Sequence, residues 1–102
     1  AQRSTDPDLQ SRVYHNLGNG YFLEAKYQAE AGRLEPATKA LEEAIGMYEN
    51  AMTLNPEDED PKVNFELALR FREELRQQQQ QQEQDEQQQQ DQQQQQDTQG
   101  KR

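Results

Sequence analysis

The sequence predicts an all-α protein: a helical hairpin, a third helix that caps it, and a polar tail. Three observations carry this. Apolar residues recur at helical spacing, helix starts and stops punctuate the chain, and no alternating run rich in valine or isoleucine offers a strand. Hydrophobic residues make up 29% of the 102 positions, below the roughly 45–50% apolar content usual in a globular domain. All of them lie between Ala1 and Leu75, so the low mean hides two unlike parts. The expected organisation is an N-terminal flank over residues 1–5, one small domain over 6–76 and a low-complexity tail over 77–102.

Asp6-Pro7 reads as a helix start, with Asp6 as N-cap and Pro7 at the first helical position, where a missing N–H costs nothing. From there Leu9, Val13, Leu17, Tyr21 and Ala25 recur every four residues with Tyr14 beside them, an apolar stripe that predicts a first helix over about 7–31. Gly32 is its stop. A second start stands at Glu35-Pro36. Ala37, Ala40, Leu41, Ala44, Ile45, Tyr48, Ala51 and Met52 then keep helical spacing as far as Asn55-Pro56, a helix over about 36–54. Asp60-Pro61 repeats the cap-plus-proline device and opens a third helix from about residue 61. There Val63, Leu67, Phe71 and Leu75 form one row, and Phe65 and Leu69 another. Tyr14, Tyr21 and Tyr48 read as core. Gly18, Gly20 and Gly46 read as close helix contacts, because a helical glycine costs about 1 kcal/mol relative to alanine.

From Gln77 to Gln99 the chain holds only glutamine, five acidic residues and one threonine. Nothing there can be buried to offset the ordering entropy, so disorder is the default expectation. Glutamine and glutamate are nonetheless good helix formers, and the third helix can run on as a solvated, fraying extension.

Composition excludes several function classes. Without cysteine there is no disulfide framework, thiolate metal site or redox nucleophile. The net charge of −9 is acidic in both parts, which opposes binding to nucleic acid and to anionic lipid. No apolar run reaches the length of a membrane span, so direct membrane insertion by this segment is not expected. His15 is the only histidine, so no multi-histidine metal site and no Ser-His-Asp set with a second histidine can form. Glu57-Asp58-Glu59-Asp60 lacks the alternating ligands and glycine of a calcium loop, and favourable charge at a helix N-terminus explains it. Gly18 and Gly20 follow no strand, so they form no phosphate loop. Catalytic residues, metals and cofactors are all expected to be absent.

Tyr14, Leu17, Gly18 and Tyr21, then Ala44, Tyr48, Ala51 and Pro56, match the signature of a tetratricopeptide repeat, and the chain resembles that family. Gly32 and Ala37 keep its turn spacing. Gly18 and Ala44 stand fourteen positions further apart than in a repeat of roughly 34 residues, which the turn divides into seven in each helix. An added heptad shifts a helix face by only about 20°, so both helices lengthen in phase and the repeat is elongated. In the third helix, Lys62 stands at the aromatic position and Glu66 at the glycine position, which suits a terminal cap. This single repeat, closed by Asn55 to Ala68 and followed by a glutamine-rich tail, resembles the repeat region of bacterial Bat (aerotolerance-type) proteins. That resemblance implies an envelope location, secreted or membrane-tethered through regions outside this segment, often downstream of a von Willebrand factor A domain. The start at Ala1 rather than Met suits a processed protein or a fragment, and a cytoplasmic location stays open.

The same resemblance implies a peptide-binding face on the first helix, here Arg12, His15, Asn19, Phe22 and Leu23, echoed by Asn64 in the third. Asn19 occupies the place where peptide-clamping repeats hold a ligand backbone. His15 replaces the usual clamp lysine, and Asp60 lies where a cation is needed, so a clamp for a terminal carboxylate is incomplete. As residues, Asn16, Asn19 and Asn64 can equally cap or bridge helices. Tyr21, Phe22 and Leu23 are consecutive and cannot all face one core, so at least one is covered by the third helix or exposed as a contact. The expected function is a non-enzymatic protein–protein interaction module with a protein partner. The alternative is structural self-association, a homo-oligomer with a seam of Val63, Phe65, Leu67, Leu69, Phe71 and Leu75 and the glutamine tract.

Overall fold

The computed structural model describes residues 6–100, and the flank 1–5 and the last two tail positions lie outside them. Three helices follow in order, α1 (Pro7–Glu30), α2 (Leu34–Leu54) and α3 (Glu59–Gly100), with no strand among the described residues. Asp6 caps α1, its Oδ1 accepting from Asp8 N at 2.9 Å. At the other end Gly32 N donates to Ala29 O and Arg33 N to Gln28 O, a paired closure that needs a left-handed residue between them. Gly32 supplies it, with φ of 78°. α2 starts two residues ahead of the expected Pro36. Proline is tolerated throughout a first helical turn, whose N–H groups lack intrahelical partners. α3 likewise starts at Glu59 rather than 61. Its cap is Asp58, which accepts from Asp60 N at 3.1 Å, so Asp60 lies inside the helix.

α1 and α2 run antiparallel, as the facing pairs Ser11 with Ala51 and Gly18 with Tyr48 show. α3 runs alongside α1 and packs mainly on α2. Each helix buries a row spaced by sevens: Ser11, Gly18 and Ala25 on α1; Ala37, Ala44 and Ala51 on α2; Pro61, Ala68 and Leu75 on α3. Seven residues fall only about 20° short of two turns, so such a row runs nearly straight along the helix. On α1 and α2 its small side chains allow close approach. Leu34, Leu41, Ile45 and Tyr48 of α2 supply the bulk of the core, against which Phe22, Phe65, Leu69 and Phe71 pack part-buried. Ser11 Oγ is buried and donates to Ala51 O at 2.9 Å, which ties the open ends of the hairpin together.

The stripe Leu9, Val13, Leu17, Tyr21 is not the core face. These residues are 46%, 51%, 46% and 38% exposed, and only Ala25, the last member, is buried. A step of four residues overshoots a full helical turn by about 40°, so a strict four-residue row winds around the helix. This one starts on the solvent side and reaches the core after four steps. The row Val63, Leu67, Phe71, Leu75 of α3 does the same, from exposed Val63 and Leu67 to fully buried Leu75. Gly20 and Gly46 also depart from expectation. A Cβ at either would have no neighbour within 4 Å, whereas at Gly18 it would lie 2.6 Å from Tyr48 Cε1. Gly18 alone of the three is a close helix contact.

The glutamine tract continues α3 as helix through Gly100, without the disordered tail that composition made the default. From Gln80 to Thr98 its side chains are exposed, so no tertiary burial holds it. Local bonds support it instead: Gln81 to Asp85 at 3.2 Å and Gln87 to Asp91 at 3.1 Å, i to i+4 pairs worth about 0.2–0.5 kcal/mol each. The protein is therefore long, 81 Å in its largest dimension. None of its described helices is long and apolar enough to cross a membrane.

Candidate functional site

The three helices meet in one polar cluster. Asn19 of α1 stands one residue past Gly18, against which the Tyr48 ring packs, and its Oδ1 accepts from Tyr48 Oη at 2.7 Å. The same oxygen accepts from Asn64 Nδ2 of α3 at 3.1 Å, and Asn64 Nδ2 lies 2.8 Å from His15 Nε2. With that nitrogen as donor, the imidazole accepts at Nε2 and carries its proton on Nδ1. Asn19 and Asn64 thus bridge α1, α2 and α3, which the residues alone left open. Asn16 takes no part and is exposed. The His15 ring sits edge-on to Tyr48, centroids 6.0 Å apart. Burial pushes the Tyr48 hydroxyl up from 10.0 to about 12, so it stays protonated and able to donate across the neutral range.

This bonding saturates Asn19 Oδ1 but leaves Asn19 Nδ2 and Asn64 Oδ1 without a protein partner among the described residues. One amide donor and one amide acceptor therefore remain beside the gap between α1 and α3. The hollow there holds about 210 Å³ and is lined by Asn19, Phe22, Leu23, Lys26, Asn64 and Leu67. It continues toward the C-terminal end of α1 as a groove of about 680 Å³, where Phe22 stacks on Phe71 at 5.8 Å. Lys26 and Arg70 line that groove with Glu30 and Glu74. Lys26 Nζ lies 4.9 Å from the Phe22 ring centroid, and neither cation is in an ion pair among the described residues.

Of the expected face, the structure brings together His15, Asn19, Phe22, Leu23 and Asn64. Phe22 is half-buried and covered from α3, while Leu23 is 67% exposed. Arg12 is exposed and lines neither hollow. Of the expected signature, Gly18, Ala37, Ala44, Tyr48 and Ala51 are buried and Tyr14 is half-buried. Leu17 and Tyr21 face solvent, and Pro56 is exposed in the turn after α2. Sequence reasoning missed Ser11, Lys26 and Arg70, and it placed Leu67 on a self-association seam rather than in the groove. The small-residue heptad Ser11, Gly18, Ala25 was the available signal for the first. The other three depend on where α3 lies, which no local pattern states. The proposed self-association seam is largely internal: Leu75 is buried, Phe65, Leu69 and Phe71 pack on the core, and Val63 and Leu67 stay exposed. No three His, Asp or Glu side chains converge as a metal site among the described residues. No family model, curated protein or solved structure matches the chain.

Proposed function

We propose that this chain is a non-catalytic protein–protein interaction module, an elongated tetratricopeptide-like hairpin closed by a capping helix, and that the groove between α1 and α3 takes a segment of a partner protein. The observation that carries this is the free amide donor of Asn19 and free acceptor of Asn64 beside an apolar floor of Phe22, Leu67 and Phe71. A peptide backbone needs such a donor and acceptor, and an apolar side chain of the partner fits the floor. Lys26 and Arg70 favour a partner carrying an acidic residue near that side chain. The resemblance of the motif order to the Bat repeat region supports a place in a bacterial envelope assembly, tethered through regions outside this segment.

A random-peptide display selection against the full chain tests the groove. Enriched peptides lose at least tenfold in affinity for Leu23→Glu and for Lys26→Glu, two exposed changes that leave the melting curve in place. Binders indifferent to both substitutions would overturn the assignment.

A further inference from the structure

α1 and α3 can be aligned forty-eight positions apart, which sets Lys62 on Tyr14 and Glu66 on Gly18. The face through which α3 docks on the α1–α2 hairpin consists of Pro61, Phe65, Ala68, Leu69, Phe71 and Leu75, all buried or part-buried. Their counterparts on α1 are Val13, Leu17, Gly20, Tyr21, Leu23 and Tyr27. Every one is apolar or glycine, and every one is exposed. The counterpart of Ala68, which sits at 0% exposure against the hairpin, is Gly20, with open space around it and shallow hollows on either side bounded by Leu17, Tyr21, Leu23 and Tyr27. Even the bridging Asn64 has its counterpart in exposed Asn16.

The relation fails in the other direction. On α1 the row Ser11, Gly18, Ala25 receives α2, and its counterparts on α3 are Glu59, Glu66 and Glu73, all exposed. A second helix laid there would bury three carboxylates, so α3 closes its end of the stack. The α1 end is open.

We infer that the outer face of α1 is a docking surface for an antiparallel helical hairpin, which it receives in the register in which α3 sits on α1–α2. The occupant is a hairpin presenting an apolar face like that of Ala37, Leu41, Ala44 and Ile45. It carries a basic residue where this chain has Glu42, because Glu24 of α1 stands at the position from which Arg72 meets Glu42. The inference concerns the outer side of α1; of its six residues only Leu23 also lines the α1–α3 hollow, and the inference does not depend on what that hollow takes.

The test is a chain in which residues 13–60 are duplicated in place, so that the second Val13 follows Asp60 as Pro61 does. This chain melts in one transition at least about 5 °C above the native one, and the amides of its second α1 gain at least tenfold in exchange protection. Asn16→Ala in the second copy lowers that midpoint as Asn64→Ala lowers the native one, while Asn16→Ala in the native chain is silent. Gly20→Leu removes the gain from the duplicated chain without lowering the native midpoint. Aggregation, two separate transitions, or indifference to second-copy Asn16→Ala each overturn the inference. So does a native dimer in sedimentation that Leu17→Glu dissolves, since the occupant is then a second copy of this chain.

Discussion

Replacing Gly18 with alanine tests the packing that organises both the core and the site. In an exposed helix interior, glycine to alanine stabilises by about 1 kcal/mol, and Gly20, two residues away with no neighbour within 4 Å of a Cβ, reports that gain alone. At Gly18 the new methyl group lies 2.6 and 2.7 Å from Cε1 and Cδ1 of Tyr48, about 1 Å inside ordinary carbon–carbon contact. The ring has little room to yield. Tyr48 is 1% exposed and its hydroxyl is held by Asn19 at 2.7 Å. Overpacking of this kind costs about 1–3 kcal/mol, so Gly18→Ala is expected to fall below Gly20→Ala by that amount, and Gly18→Leu by more. Urea melts followed by near-ultraviolet circular dichroism of the tyrosines give both midpoints on one scale. If Gly18→Ala matches Gly20→Ala, the Tyr48 ring is not held against Gly18 and the geometry of the site is wrong.

Asn19→Ala leaves the Tyr48 hydroxyl and one Asn64 donor bond without their acceptor, and a loss of about 1–3 kcal/mol is expected in the same melts. Stability also falls in alkali. An unfolded tyrosine ionises near pH 10 and folded Tyr48 near 12, so between them the unfolded chain releases its proton first and unfolding is favoured as pH rises. The loss reaches about 2–3 kcal/mol by the top of that window, and pH-dependent melts of Tyr48→Phe lack this component. Gly32→Ala forces a side chain into φ of 78° and is expected to cost about 1–2 kcal/mol in thermal melts. Ending the chain before Glu83 removes helix that is exposed throughout residues 83–98, so the melting midpoint stays within about 2 °C while the helical signal drops; a larger shift would mean that the glutamine tract stabilises the core.

The helices were legible because their signals are local. Asp6 with Pro7, the left-handed glycine at 32 and the Asn55-Pro56 stop act within a turn of themselves, and the boundaries missed, Leu34 and Glu59, lie within two residues of a proline. The facing of α1 was not legible from its large residues. Leu17 and Tyr21 belong to a row that winds about 40° per step, while the contact face consists of Ser11, Gly18 and Ala25, whose small side chains carry little hydrophobic signal. His15, Asn19 and Asn64 were identifiable as candidates. That they form one cluster with Tyr48, with Asn19 Oδ1 shared between two donors, depends on three helices converging at one point.

By itself the sequence determined an all-helical chain with a break at Gly32, a stop at Asn55-Pro56, an acidic balance and a tail with nothing to bury, since propensity, capping and charge are properties of neighbouring residues. Only the tertiary structure decided which face of each helix is inside. On α1 the side turned inward is the one where Gly18 leaves room for the Tyr48 ring rather than the one that carries the largest side chains, and so an apolar face of α1 stays in solvent.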